Sequence, residues 1–322
     1  MAEPRSDRSG GHGVSPTRGG PILVTGSHRG GTTWVGKTLA LAPRLTYCHE
    51  PLNPNIDDGV RFHRIGVPYW FMHLDETNGA EWAARLDRVI HGRAARGSLL
   101  PSLRSIQGAR SWTGDFRRSL ISRVRGSRVV VKDPFSVFSA PWMASRYGMS
   151  VIVMIRHPAA FVASIVRKDW RFDFDNFLSQ SRLMERYLEP LRGEILQAKG
   201  SSDPLLQASV LWKAIYLGVC DHQMRHPEWF FPRHEDFARN AMISFENLFG
   251  QLGISMTDAL RRRVNRNCMG SDGGGRSRSW WQRESVGTVD TWKSMLSCDQ
   301  ISQIRRLVEP ISGKWYDDAS WA

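Results

Sequence analysis

Ile22-Leu23-Val24-Thr25-Gly26-Ser27-His28-Arg29-Gly30-Gly31-Thr32-Thr33-Trp34 is the stretch on which the fold turns. Its first four residues are apolar or β-branched without alternation, the pattern of a strand buried on both faces. Glycine recurs at 26, 30 and 31, and from Thr32 to Leu41 the pattern is helical until Pro43 stops it. Strand, glycine loop and helix in that order aim backbone N–H groups and a helix N-terminus at one point, which suits an anion.

Working outward, Arg128 to Lys132 and Ser150 to Ile155 predict two more buried strands, and Trp229 to Phe231 a weaker one followed by Pro232. Pro158 suits the first turn of a helix after Ile155, because its missing N–H costs nothing there. Continuous apolar strands separated by helices predict an α/β fold of three layers, P-loop-like, with a central parallel sheet. Two helical insertions interrupt it, at about 52–125 and 171–226. In the second, Leu183, Tyr187, Leu191 and Ile195 recur at helical spacing, Pro190 should kink that helix, and Pro204 should start the next. Residues 1–20 have almost no apolar content and read as a disordered basic tail; residues 21–322 read as one domain. The Gly/Ser/Arg-rich stretch 270–290 is long enough to be functional or mobile.

The chain has 322 residues, 41% hydrophobic, which excludes wholesale disorder. Its net charge is +13, and 37 of its 44 basic residues are arginine. These are scattered without a block of like charge, so we read most of the excess as the bias of a GC-rich coding sequence and not as a nucleic-acid site. The basic surface suits an anionic donor, and an anionic acceptor or peripheral contact with a membrane surface. Cys48, Cys220, Cys268 and Cys298 lie far apart without zinc spacing, which predicts a reducing, cytoplasmic compartment. No 18-residue apolar run and no secretory h-region are present.

Gly31 to Thr38 satisfies G-x-x-x-x-G-K-[ST] literally, which would announce an ATP–Mg²⁺-dependent small-molecule kinase. The register is wrong. The apolar strand ends at Thr25, and six residues later the helix should already be under way. Read from the strand end, the loop is Gly26 to Gly31 followed by Thr32-Thr33, with Arg29 as its cation and no Walker lysine. A nucleic-acid-binding protein is the second alternative, without any helix-turn-helix, zinc or RNP signature.

Arg29-Gly30-Gly31-Thr32-Thr33-Trp34 resembles the 5′-phosphosulfate loop of sulfotransferases that use 3′-phosphoadenosine 5′-phosphosulfate, with Gly30 in place of the usual Ser. That change removes a hydroxyl and should loosen the loop. Val151 to Ser164 resembles the family's 3′-phosphate site, with Arg156 at a strand end and Ser164 eight residues on. Arginine's planar fork takes two phosphate oxygens at once. Arg233 to Phe237 is similar to the segment whose aromatic lies against adenine, with His234 replacing Tyr; Arg283 to Lys293 resembles the closing segment, which implies roles for Arg283 and Ser285.

The resemblance implies sulfuryl transfer by in-line displacement, with adenosine 3′,5′-bisphosphate as product and no required metal. Arg29 would stabilise the leaving group, and Lys132 would point into the same cleft. Where enzymes acting on phenols and steroids carry a His base after that lysine, this chain has Pro134. Glu50, in a Glu-Pro segment like that of carbohydrate sulfotransferases, is the favoured base, with His49 and Asp133 as rivals. Pro51 should hold Glu50 extended, and partial burial should raise its pKa. Trp34 lies either beneath the adenine or in the core. A Glu base suggests an acceptor hydroxyl on a sugar, glycolipid or glycosylated metabolite. The sequence does not indicate the oligomeric state.

Overall fold

The computed structural model describes residues 19–55, 65–91, 127–269 and 289–322. Four strands form one parallel sheet: β1 (Ile22–Gly26), β2 (Leu45–His49), β3 (Arg128–Lys132) and β4 (Ser150–Met154), in the order β2-β3-β1-β4. Val24 pairs with Lys132 on one side of β1 and Ile152 on the other. β1 and β4 are buried throughout, as their unbroken apolar runs require.

The sheet is covered on both faces. Alternate residues Ile22, Val24, Val130, Ile152 and Met154 face a core built with α1 (Thr32–Leu39) and later helices of the chain; Leu23, Val131, Val151 and Val153 face the other. That second core includes α2 (Gly79–Ile90), α3 (Ala140–Tyr147) and α4 (Pro158–Arg167). Beyond α5 (Arg192–Gly200), the 22-residue α6 (Pro204–Arg225) completes it, capped where Asp203 accepts from the Leu205 N–H at 2.9 Å. The helix expected around Pro190 is broken there, into a π-turn at Met184–Leu188 and a 3₁₀ turn at Glu189–Leu191.

Two expectations need correction. Trp229 to Phe231 makes no full strand. Phe230 and Arg233 form isolated parallel bridges to Ile152 and Ile155, and Pro232 between them has no N–H for a ladder. Conversely, β2 was not foreseen: it is a half-buried edge strand whose LTYCH sequence lacks an apolar run. Parts of the first insertion (56–64 and 92–126), most of the tail and residues 270–288 lie outside the described residues. Among the described residues, no helix is long and apolar enough to cross a membrane.

Candidate functional site

All four strands end on one side of the sheet, where open parallel sheets bind ligands. The glycine loop leaves β1 there. Gly26 has φ 133°, Gly30 N–H donates back to Ser27 O at 3.0 Å, and Gly31, with φ 85°, caps α1. The first N–H groups of α1 therefore face the loop without intrahelical partners. Gly31 is required twice over, because a Cβ would strain its backbone and land 2.3 Å from His234 Nδ1.

At Gly30 the loop makes a close turn back onto Ser27. A Cβ there would lie 2.6 Å from Ser27 O and 2.9 Å from Ser27 Oγ, so glycine permits a tighter turn than serine would. The literal Walker register fares differently. Gly36 and Lys37 sit inside α1, and Gly36 packs against Lys132 and the Tyr47 ring, where a Cβ would lie 3.0 and 3.1 Å away. Gly36 thus serves helix–sheet packing, not a phosphate.

The loop meets the second motif directly. Arg29, in a left-handed conformation (φ 62°), donates from Nε to Ser164 Oγ on α4 at 3.0 Å. Arg156, just beyond β4, donates from Nη1 to Arg29 O. Arg29, Arg156 and Ser164 line one narrow cleft together with Thr291, Trp292 and Met295. Arg29 is thus directed in this structure toward Ser164, the residue that the sequence resemblance would put at a 3′-phosphate. Arg167 lines the same cleft and was missed by sequence reasoning. Its signal was available, since it stands three residues after Ser164 on the same helical face.

At the ends of β2 and β3 lies a second group. Lys132, completely buried, pairs with Glu50 Oε1, and Asn53 Nδ2 donates to Glu50 Oε2 at 2.8 Å. Pro51 does not hold Glu50 extended: its φ is 41°, imposed by a 2.8 Å bond from Glu50 N–H to Lys132 O together with the side-chain pair. Nor is its pKa raised. Burial pushes it up, but the charges of Lys132 and His49 and the two hydrogen bonds outweigh burial and hold it below the ordinary glutamate value. Burial pushes the Lys132 ammonium down, against Glu50.

Asp133 is 0% exposed, and its two oxygens accept from Leu52 N–H at 2.6 Å and Phe135 N–H at 2.9 Å. Burial, then the charge of Glu50, pushes its pKa up to about 7. It pins the Glu50-Pro51-Leu52 turn to the end of β3 and has no exposed oxygen for an acceptor. His49 is half-buried, its Nδ1 3.3 Å from Tyr47 Oη.

The remaining predicted residues divide. Thr32 is buried and Thr33 half-buried at the start of α1. Trp34 is 1% exposed and meets Phe245 and Phe237 edge-on, which makes it a core residue. His234 is 1% exposed and wedged under Gly31, so in this structure its ring is not offered to an adenine. Burial, then Arg156, lowers its pKa to about 3, so it is neutral. Arg283 and Ser285 lie outside the described residues. Among the described residues, no group of three or more His, Cys, Asp or Glu is placed to hold a metal ion. A larger cavity of about 730 Å³ lies elsewhere, and in its lining Arg182 pairs with Asp75 and Arg186 with Asp221.

No protein-family model matches the chain. Carbohydrate sulfotransferase 1 of Homo sapiens is 24% identical over 186 residues, covering 56% of this chain and 39% of that protein. The match therefore spans well under half the length of the curated relative. Among solved structures, the sulfotransferase domain from the curacin biosynthetic pathway superposes with a TM-score of 0.45 at 14% identity, covering 90% of this chain and 97% of that one. Mouse sulfotransferase SULT7A1 complexed with PAP gives 0.48 at 11% identity, covering 94% and 87%. The relatives found by sequence and by structure are sulfotransferases, the family whose motifs the sequence resembles.

Proposed function

We propose that this protein transfers a sulfuryl group from 3′-phosphoadenosine 5′-phosphosulfate to an acceptor hydroxyl on a sugar, glycolipid or glycosylated metabolite. One observation carries the reading: Arg29 of the glycine loop is hydrogen-bonded to Arg156 and Ser164, 127 and 135 residues away, and lines a cleft with both. A nucleotide with phosphates at both ends of its ribose needs two such anion sites on one face, and a Walker lysine is not among their residues.

In this reading the loop N–H groups and Thr32 and Thr33 hold the 5′-phosphosulfate, and Arg156, Ser164 and Arg167 the 3′-phosphate. Arg29 reaches the bridging oxygen once the ligand displaces it from Ser164. Glu50, ionised at neutral pH, takes the acceptor's proton as the acceptor oxygen bonds to sulfur and the S–O bond to the leaving bisphosphate breaks. Lys132 neutralises that carboxylate and fixes its position. Residues 21–322 act as one unit, with the two insertions shaping acceptor access. The cytoplasmic location expected from the cysteines belongs to the same proposal. The 24% identity to a protein named carbohydrate sulfotransferase supports a sugar-type acceptor.

The test is thermal stabilisation by adenosine 3′,5′-bisphosphate, with and without Mg²⁺, against ATP. A ligand at 100 times its Kd adds about 2.7 kcal/mol. Metal-independent stabilisation, lost in Arg156→Ala and kept in Lys37→Ala, is expected. Stabilisation by ATP–Mg²⁺ alone, lost in Lys37→Ala, would instead identify a kinase.

A further inference from the structure

The β1–β4 ladder ends at the pair Gly26–Met154. Beyond it the two chains part, one into the glycine loop and the other toward Arg156. At that fork sits the hydroxyl of Tyr216, a fully buried residue of α6. Arg156 N–H donates to Tyr216 Oη at 2.8 Å, which leaves the single phenolic proton for Ser27 Oγ at 3.0 Å or Met154 O at 3.4 Å. One turn earlier on α6, Trp212 Nε1 donates to Arg156 O at 3.0 Å. Both main-chain groups of Arg156 are therefore held by side chains of one helix, whose rings stack at 4.3 Å.

We propose that Tyr216 is a positioning residue that fixes the distance between the glycine loop and Arg156, so that one ligand can engage both anion sites together. The inference rests on the donor-site reading above. Neither end of the bridge needs to touch the ligand: Ser27 and Tyr216 are both 0% exposed. Their effect passes through the backbone, by setting where the loop N–H groups stand relative to the Arg156 guanidinium. Two anion sites joined rigidly bind a bisphosphate more tightly than either phosphate alone; joined loosely, they lose that gain.

The experiment compares adenosine 3′,5′-bisphosphate with adenosine 5′-phosphate by calorimetry on the full chain. Tyr216→Phe keeps the ring and removes one hydroxyl. The affinity ratio of the two nucleotides should fall about tenfold, the worth of one net hydrogen bond. Ser27→Ala should lower the ratio similarly, and the double variant no further. A purely structural role would lower Tm and leave the ratio intact. A ratio unchanged within about twofold in Tyr216→Phe overturns the proposal, and if that variant does not fold, the same outcome in Ser27→Ala does so. If the unsubstituted protein shows no preference for the bisphosphate, the donor-site reading fails, and the proposal with it.

Discussion

Glu50 and Lys132 form an ion pair across the ends of neighbouring strands β2 and β3, the lysine side chain 0% exposed and the glutamate 16%. Each charge in this position depends on the other. A lone ammonium so buried would shed its proton, and a lone carboxylate would not hold the strained backbone of Glu50.

Glu50→Gln should therefore do two separable things. It removes the proposed base, which should lower kcat by about 10²–10⁴-fold. It also leaves Lys132 buried without its partner, which should cost about 3–5 kcal/mol of stability in urea unfolding. The double variant Glu50→Gln/Lys132→Met should regain most of the stability and none of the activity. Recovery of activity would remove Glu50 from the chemistry.

The two carboxyls beside Lys132 should respond to pH with opposite signs. Glu50 is depressed in the folded state, so its contribution is present above the unfolded value and lost as pH falls through the folded one. Asp133 is raised to about 7, so the folded state retains a proton that the unfolded state releases near ~3.9; stability falls as pH rises between those values. Carboxyl NMR should find Asp133 titrating near neutrality and Glu50 below its ordinary range. An Asp133 midpoint near 4 would contradict this.

Arg167 completes the cleft around Arg156 and Ser164. Arg167→Ala should weaken adenosine 3′,5′-bisphosphate about tenfold and leave adenosine 5′-phosphate nearly unchanged, as expected for one charge-assisted contact to the 3′-phosphate. Equal weakening of both nucleotides would place Arg167 elsewhere in the site.

Gly30→Ser restores the residue usual in the resembled family, yet here it should harm. The new Cβ would stand 2.6 Å from Ser27 O, so the turn must open at a cost of about 1–3 kcal/mol. Bisphosphate affinity should fall, not rise, by calorimetry.

The strand–loop–helix unit and the spacing of Arg156 to Ser164 were legible because both are local. Two-sided burial leaves an unbroken apolar run, a left-handed backbone selects glycine, and one helix turn sets which residues share a face. The misreadings share a different cause. β2 has no apolar run because an edge strand buries less. His234 reads like a stacking residue, yet packing beneath Gly31 takes it out of reach. The pKa of Glu50 was misjudged because burial was foreseen and the Lys132 ion pair, 82 residues away, was not.

By itself the sequence determined a parallel α/β sheet with a glycine loop after its first strand, and an arginine and a serine eight residues apart after a later strand. Only the tertiary structure decided that Arg29 of that loop lines one cleft with Arg156 and Ser164, that it rests on Ser164, and that Tyr216 joins Ser27 to Arg156 across 189 and 60 residues. The physical reason is range. Periodicity and backbone preference act over a few residues, whereas hydrogen bonds between buried side chains exist only where packing brings distant segments together.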